Sequence, residues 1–395
     1  MTNPNYNSAS ERKIIILDTT LRDGDQSALG TMYPSEKMKV AKHLEKMGVE
    51  RIEAGFAAAK GNYEFMSGVA QTLKNSWLSG LSRCVNRDTE RTYEAYKNYQ
   101  KRMIHLFLPT SEIQVSAKMK KTDDELIKIT RSSVTYARSF FDKVEFTAED
   151  AVRSNWDFLK RVYFEAINSG ATIINVADTV GYAETEEFGR LVKNVAGYVK
   201  IINPNVEISI HCHNDLGLAV ANTIAGIKNG AQQVEVTING LGERAGNCSL
   251  EQIVAFSKVH PESFSTNVLS GEIYKASKMV SRFTGVRNDS APVVGKSAFA
   301  HKSGIHQHGV INNKESYEVL RAEDFGRKSE IVIGPHSGYH GVIAKARELG
   351  FEISQEQAAL ILDVVSEKVQ REEQKRFDDE DIRKILMEKV LALAV

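Results

Sequence analysis

Residues 143–150, KVEFTAED, form a short apolar run that ends in two acids. Residues 156–170, WDFLKRVYFEAINSG, then repeat apolar side chains at helical spacing, and residues 172–178, TIINVAD, are a second apolar run ending in an acid. Strand, helix and strand in that order form a βαβ unit, whose strands lie parallel because the helix carries the chain back to the starting edge. The alternation continues in both directions. Upstream lie KIIILDTT at 13–20, RIEAGF at 51–56, WLSGLSRC at 77–84 and RMIHLFLP at 102–109, with helical segments such as SEKMKVAKHLEKMG at 35–48 between them. Downstream lie VEISIHCH at 206–213 and QVEVTING at 233–240, and the pattern closes near His260. Eight repeats in about 250 residues predict an α/β fold of the (β/α)₈ TIM-barrel type. A doubly wound open sheet uses the same alternation, but the Gly-x-Gly-x-x-Gly turn it would carry after its first strand is missing.

The regularity stops after the eighth repeat. Residues 1–12 are rich in Asn and Ser and are expected to be flexible, and the barrel is assigned to 13–275. Residues 276–340 read as a linker with a small mixed subdomain, and 341–395 as a helical subdomain. Lys plus Arg and Asp plus Glu each total 51, so the net charge is zero and a nucleic-acid partner, which needs a cationic surplus, is not expected. No apolar run is long enough to span a membrane, and the polar start MTNPNYNSAS has no apolar signal core. Three cysteines cannot build a disulfide framework. A cytoplasmic globular protein is the expectation.

In a barrel of this kind the chemistry sits where strands end and loops begin. His211 and His213 close the seventh strand, two residues apart and therefore on one side of it, an arrangement suited to a divalent ion. Two surface histidines beside a loop would have the same spacing. A carboxylate comes from the end of the first strand, where Asp23 reads as a third ligand and Arg22 as a fixed cation beside it. An isolated Arg–Asp salt bridge is the alternative there. Glu149 and Asp150 close the fifth strand, Asp178 and Thr179 the sixth, and the glycine-rich NGLGERAGN at 239–247 follows the eighth. Such acids serve as helix caps or as catalysts; their convergence on one rim favours catalysis. Beyond the barrel, His301, His306 and His308 form either a second metal site or a loop that closes over a neighbouring barrel.

LDTTLRDGDQS, VEFTAED, DTVGY, HCHNDLGLAVAN, NGLGERAGNCSLE and AFAHKSGIHQHGV, in this order, resemble the 2-isopropylmalate synthase family, within a superfamily of metal-dependent barrel enzymes that make or cleave carbon–carbon bonds. The resemblance spans 14–349. It implies that Asp23, His211 and His213 bind the divalent metal (Zn²⁺, Mn²⁺ or Mg²⁺), with Asn247 in or near its shell. It further implies Arg22 beside the metal, Glu149 in the acid/base network, and His306, with Tyr317 near it, reaching an active site in the partner subunit of a homodimer. Leu81, His105, Thr147 and Thr179 match positions lining the 2-oxo acid pocket, and Gln26 matches the side that takes the co-substrate acetyl-CoA. The implied reaction is a Claisen-type condensation of acetyl-CoA with a 2-oxo acid, 2-oxoisovalerate first, in leucine biosynthesis. Citramalate and homocitrate synthases share the scaffold, and a lyase running the chemistry backwards is a further alternative. The chain departs from the family pattern at Asp25, where Glu is usual, at Ala57, where Pro usually follows Phe56, at Asn62, where an acid is common, and at His308, where Asp is usual. Full-length members carry a C-terminal regulatory domain, for which Val395 arrives early.

Overall fold

The computed structural model describes residues 12–391. Eight parallel strands pair each with the next and the last with the first, closing a barrel. They are β1 (Ile15–Asp18), β2 (Arg51–Phe56), β3 (Trp77–Arg83), β4 (Arg102–Pro109), β5 (Lys143–Glu149), β6 (Ile173–Asp178), β7 (Glu207–Cys212) and β8 (Gln233–Val236). Helices α1 (Pro34–Lys46), α2 (Asn62–Thr72), α3 (Asn86–Tyr96), α4 (Asp123–Arg138), α5 (Trp156–Asn168), α6 (Thr185–Ile202), α7 (Ala219–Lys228) and α8 (Leu250–Val259) follow the strands in turn. Local chemistry starts them where the sequence says they start. Thr122 and Glu125 form a capping box on α4, and the Asn155 side chain accepts from the backbone N–H groups of Asp157 and Phe158 on α5.

The apolar residues of each strand face the helices: Ile52, Leu78, Ile104, Leu106, Val144, Phe146, Ile174, Val176, Ile210 and Val234 are all fully buried. The alternate residues include an unusual polar series, Glu53, Ser79, His105, Glu145, Asn175, Ser209, Gln233 and Glu235, all buried as well. Barrel interiors are ordinarily filled by branched apolar side chains. This one is held by ion pairs and hydrogen bonds instead, and buried charge is tolerated only where it is paired.

The chain divides once, into residues 1–287 and 288–395, rather than at 275/276 and 340/341. Helix α9 (Ile273–Thr284) stays with the barrel because Asn239 exchanges hydrogen bonds with Ser277, and Lys46 pairs with Glu272 at 2.7 Å. In the second unit, α10 (Gly304–Asn312), α11 (Tyr339–Glu348), α12 (Gln355–Gln370) and α13 (Asp379–Leu391) accompany a two-stranded parallel pair. Ile333 shares one apolar core with Val342, Ala346, Ile361, Val365, Ile385 and Leu386, so the proposed division at 340 cuts through a single core. The flexibility expected of residues 1–12 falls, apart from Arg12, outside the described residues. Among the described residues no helix is long and apolar enough to cross a membrane.

Candidate active site

Asp23, His211 and His213 meet at the C-terminal mouth of the barrel. Each is buried, and one ligand atom from each lies within 4.8 Å of the others. Asp23 Oδ2 is 3.8 Å from His211 Nε2 and 3.9 Å from His213 Nε2. Two bonds of about 2 Å to a shared ion span such gaps. Asn247 reaches the same point from the loop after β8: its Nδ2 donates to Asp23 Oδ1 at 2.9 Å and to the Leu241 carbonyl at 3.0 Å. Its Oδ1 stays buried with no hydrogen-bond partner among the described residues, as an oxygen ligand awaiting a cation would. The donor set of two imidazoles, one carboxylate and an amide oxygen suits Zn²⁺, Mn²⁺ or Mg²⁺.

The loop can approach this closely because it lacks side chains at two points. A Cβ on Gly242 would stand 2.0 Å from Asn247 Nδ2 and 2.8 Å from Asp23 Oδ1. Gly246 has φ +89°, and a Cβ there would meet the Gly240 carbonyl oxygen at 2.0 Å.

Arg22 lies against Asp23 and ties it to the barrel interior. Its NH1 holds Asp23 Oδ2 at 2.7 Å, its Nε holds Glu53 Oε2 at 2.6 Å, and its NH2 is 3.8 Å from Glu235 Oε2. Burial pushes the Asp23 carboxyl up, but Arg22, His211 and His213 outweigh it and hold the group ionised, well below the usual carboxylate range. Burial and then His211 push His213 down to about 4, whereas at His211 burial is outweighed by Glu235 and Asp23, which raise it.

A second buried group, Glu53, His105 and Glu235, also has metal-type side chains within reach of one another. Two of its members are already engaged. Glu53 Oε1 accepts from His105 Nδ1 at 2.7 Å while its Oε2 holds Arg22, and His105 Nε2 meets Thr147 Oγ1 at 2.5 Å. Burial disfavours the His105 cation, but Glu53, Glu145 and Glu235 prevail and raise it to about 9. The same attraction, from Arg22 and then His105, overcomes burial at Glu53 and holds it down at about 2. This is an ion-pair network around a buried imidazolium.

A pH dependence follows. The folded-state pKa of His105 lies above the unfolded value near 6.5, so its contribution to stability is complete below about pH 6.5 and is lost as pH rises through about 9. Denaturant titrations at pH 6 and pH 9.5 are expected to show a loss of stability across that window which shrinks in His105→Gln. An equal loss in both proteins would contradict the assignment.

The sequence of this barrel matches the family profile described as HMGL-like over residues 13–280, and residues 293–373 match one described as homocitrate synthase post-HMGL domain-like. The 2-isopropylmalate synthase of Oceanobacillus iheyensis is 43% identical over 381 residues, covering 95% of this chain and 73% of its own. This chain belongs to the 2-isopropylmalate synthase family. The 2-isopropylmalate synthase 1 of Caldanaerobacter subterraneus is 42% identical, with 96% of each chain covered. Solved hydroxymethylglutaryl-CoA lyases of Pseudomonas aeruginosa and Brucella melitensis superpose with TM-scores of 0.60 and 0.59, each at 18% identity and over 70% of this chain, covering 94% and 100% of theirs. That likeness is one of fold alone.

The other residues singled out from the sequence are dispersed. Leu81 lies beside His105 in the β3–β4 register, and Thr147 is bonded to His105, so these three share one wall. Thr179 Oγ1 accepts from the Asp150 N–H at 2.9 Å and its carbonyl from Arg244 at 2.9 Å. Glu149 is half-buried at the end of β5 and paired with Lys118 at 2.8 Å. Gln26 is exposed on the turn after Asp23. His306 and Tyr317 belong to the second unit, where both are exposed and their rings stack with centroids 4.1 Å apart. Asp150 and Asp178 do structural work, Asp150 accepting from Ser111 and Arg153, and Asp178 from the N–H groups of Tyr182 and Ala183. Asp25 accepts from Lys37 Nζ and from the Met32 N–H, both at 3.0 Å, so the shorter acid still pins the loop after β1.

Sequence reasoning passed over Glu53, Glu145, Glu235, Asn175 and Gln233. The signal was available. RIEAGF, KVEFTAE and QVEV each carry a Glu between apolar neighbours inside a strand, where a carboxylate has no reason to be unless it faces a polar partner.

Proposed function

We propose that this chain condenses acetyl-CoA with 2-oxoisovalerate to give 2-isopropylmalate and CoA, in leucine biosynthesis. The observation that carries the reading is Arg22 bonded to Asp23 at 2.7 Å, beside the two imidazoles that face the same carboxylate. Asp23, His211 and His213, with Asn247, would hold a divalent cation, which would supply Lewis-acid stabilisation of developing negative charge. Arg22 adds a positive charge that is already oriented, because Glu53 and Asp23 hold two of its nitrogens, and so needs no reorganisation during the reaction. His105 as imidazolium donates from both nitrogens, to Glu53 and to Thr147. The Thr147 hydroxyl therefore accepts from His105 and is free to donate its own proton to the 2-oxo acid carboxylate. Leu81 next to it offers the apolar surface for a branched side chain.

His306 of the partner subunit takes a proton from the acetyl methyl group in this reading, and the resulting enolate attacks the keto carbon. Glu149, in the acid/base network of this reading, is paired with Lys118 at 2.8 Å. Hydrolysis of the thioester then releases CoA. The reading includes a cytoplasmic homodimer.

The test is a panel of 2-oxo acids with acetyl-CoA and Mn²⁺, followed as free thiol. CoA release is expected to be fastest with 2-oxoisovalerate, and no release with any acid rejects the reaction. The pocket wall separates single methylenes by only about 1–3 kcal/mol, so an oxo acid one methylene larger or smaller is expected to react at a kcat/KM lower by roughly 10–100-fold. Mixing Arg22→Ala with His306→Ala chains is expected to restore part of the activity that each lacks alone. No recovery would place His306 and the barrel it serves in one chain.

A further inference from the structure

Glu235 has no role in the mechanism above, yet it is buried in the barrel interior between Arg22 and His211. Arg22 does not account for it. That guanidinium is bonded to Glu53 and Asp23 at 2.6 and 2.7 Å, whereas its approach to Glu235 is 3.8 Å. The nearest group to Glu235 Oε2 is His211 Nδ1, 3.0 Å away. Both atoms are buried, and at this distance neither meets full hydrogen-bond geometry with any partner among the described residues. Two orphaned polar atoms facing each other at bonding distance in a closed interior are costly unless something turns them into register.

We propose that Glu235 is the positioning residue of the metal centre, taking the Nδ1–H of His211 and thereby fixing the tautomer and ring plane that direct Nε2 towards Asp23 and His213. The inference rests on the metal-dependent reading above. An imidazole that binds a cation through one nitrogen carries its proton on the other, and a carboxylate acceptor there orients the ring and raises its basicity. Glu235 is itself held from behind. Asn175 Nδ2 donates to Glu235 Oε1 and, at 3.1 Å, to Glu145 Oε1, and Glu145 accepts from Gln233 Nε2 at 2.9 and 3.0 Å. Strands β5, β6 and β8 thus set the angle of a carboxylate that acts on β7.

The experiment uses the full chain, stripped with a chelator and titrated with Mn²⁺ alone, the bound ion being counted by electron paramagnetic resonance. Glu235→Gln keeps the shape and the Asn175 contact but loses the charge, and its Mn²⁺ Kd is expected to rise by about 10–100-fold. Its turnover is expected to recover as Mn²⁺ is raised to saturation, which a merely damaged barrel would not do. A Kd within twofold of the parent overturns the proposal. Should circular dichroism show that Glu235→Gln does not fold, Asn175→Ala decides: its Nδ2 donates to Glu145 and Glu235, and a rise of several-fold in Kd supports the role while an unchanged Kd overturns it. If the parent chain binds Mn²⁺ no better than Asp23→Ala, the metal centre itself is rejected, and this inference with it.

Discussion

Replacing Arg22 with Met is expected to damage both stability and turnover, the largest double effect of any single change in this barrel. The guanidinium bonds Asp23 and Glu53 and borders Glu235, three carboxylates buried in one volume. Methionine fills much of the space but leaves those charges facing one another. Breaking a buried pair in this way costs about 3–5 kcal/mol, because the remaining charge is uncompensated. His105, already drawn to Glu53, offsets only part of it. Chemical denaturation of Arg22→Met is expected to show that loss at pH 7. It should shrink as pH falls, since protonating the stranded carboxylates removes the repulsion. Turnover in whatever remains folded is expected to drop by about 10²–10³-fold, the effect of removing one preorganised donor to developing negative charge. A variant as stable as its parent would mean that Arg22 is not the counter-ion of this interior.

Asp23→Asn is the second large effect and is of the opposite kind. It keeps the shape of the side chain but removes the anionic ligand, so metal affinity rather than folding should fail. If Lewis-acid stabilisation is worth several kcal/mol, about 3–5, turnover is expected to fall by roughly 10²–10⁴-fold. The two mutations are therefore separable by experiment. Arg22→Met should shift the denaturation midpoint more than the Mn²⁺ titration, and Asp23→Asn the reverse. A fully active Asp23→Asn protein would reject the metal centre.

These effects arise from residues of unequal visibility in the sequence. Arg22, Asp23, His211 and His213 could be picked out because barrel strands deliver chemistry at their C-terminal ends and because alternate residues of a strand share a face. Glu53, Glu145 and Glu235 occupy mid-strand positions, where the usual expectation is packing. Their meaning appears only when β2, β5 and β8 are brought round the same axis. Thr179 and Glu149 stand at strand ends, and their partners too are visible only in the folded chain. Their hydrogen bonds go to Asp150 and Lys118.

The sequence alone determined the barrel, its eight strands and the strand ends that bring Asp23, His211 and His213 together, because each of these depends on local periodicity and on a neighbour two residues away. Only the tertiary structure decided that the barrel interior is a charged network, that α9 belongs with the barrel, and that Ile333 shares one core with the helices that follow it. The reason is range. Arg22 finds Glu53 and Glu235 across 31 and 213 residues of chain, and Glu235 finds His211 from the next strand. No period in a linear sequence encodes which buried charge will neutralise which.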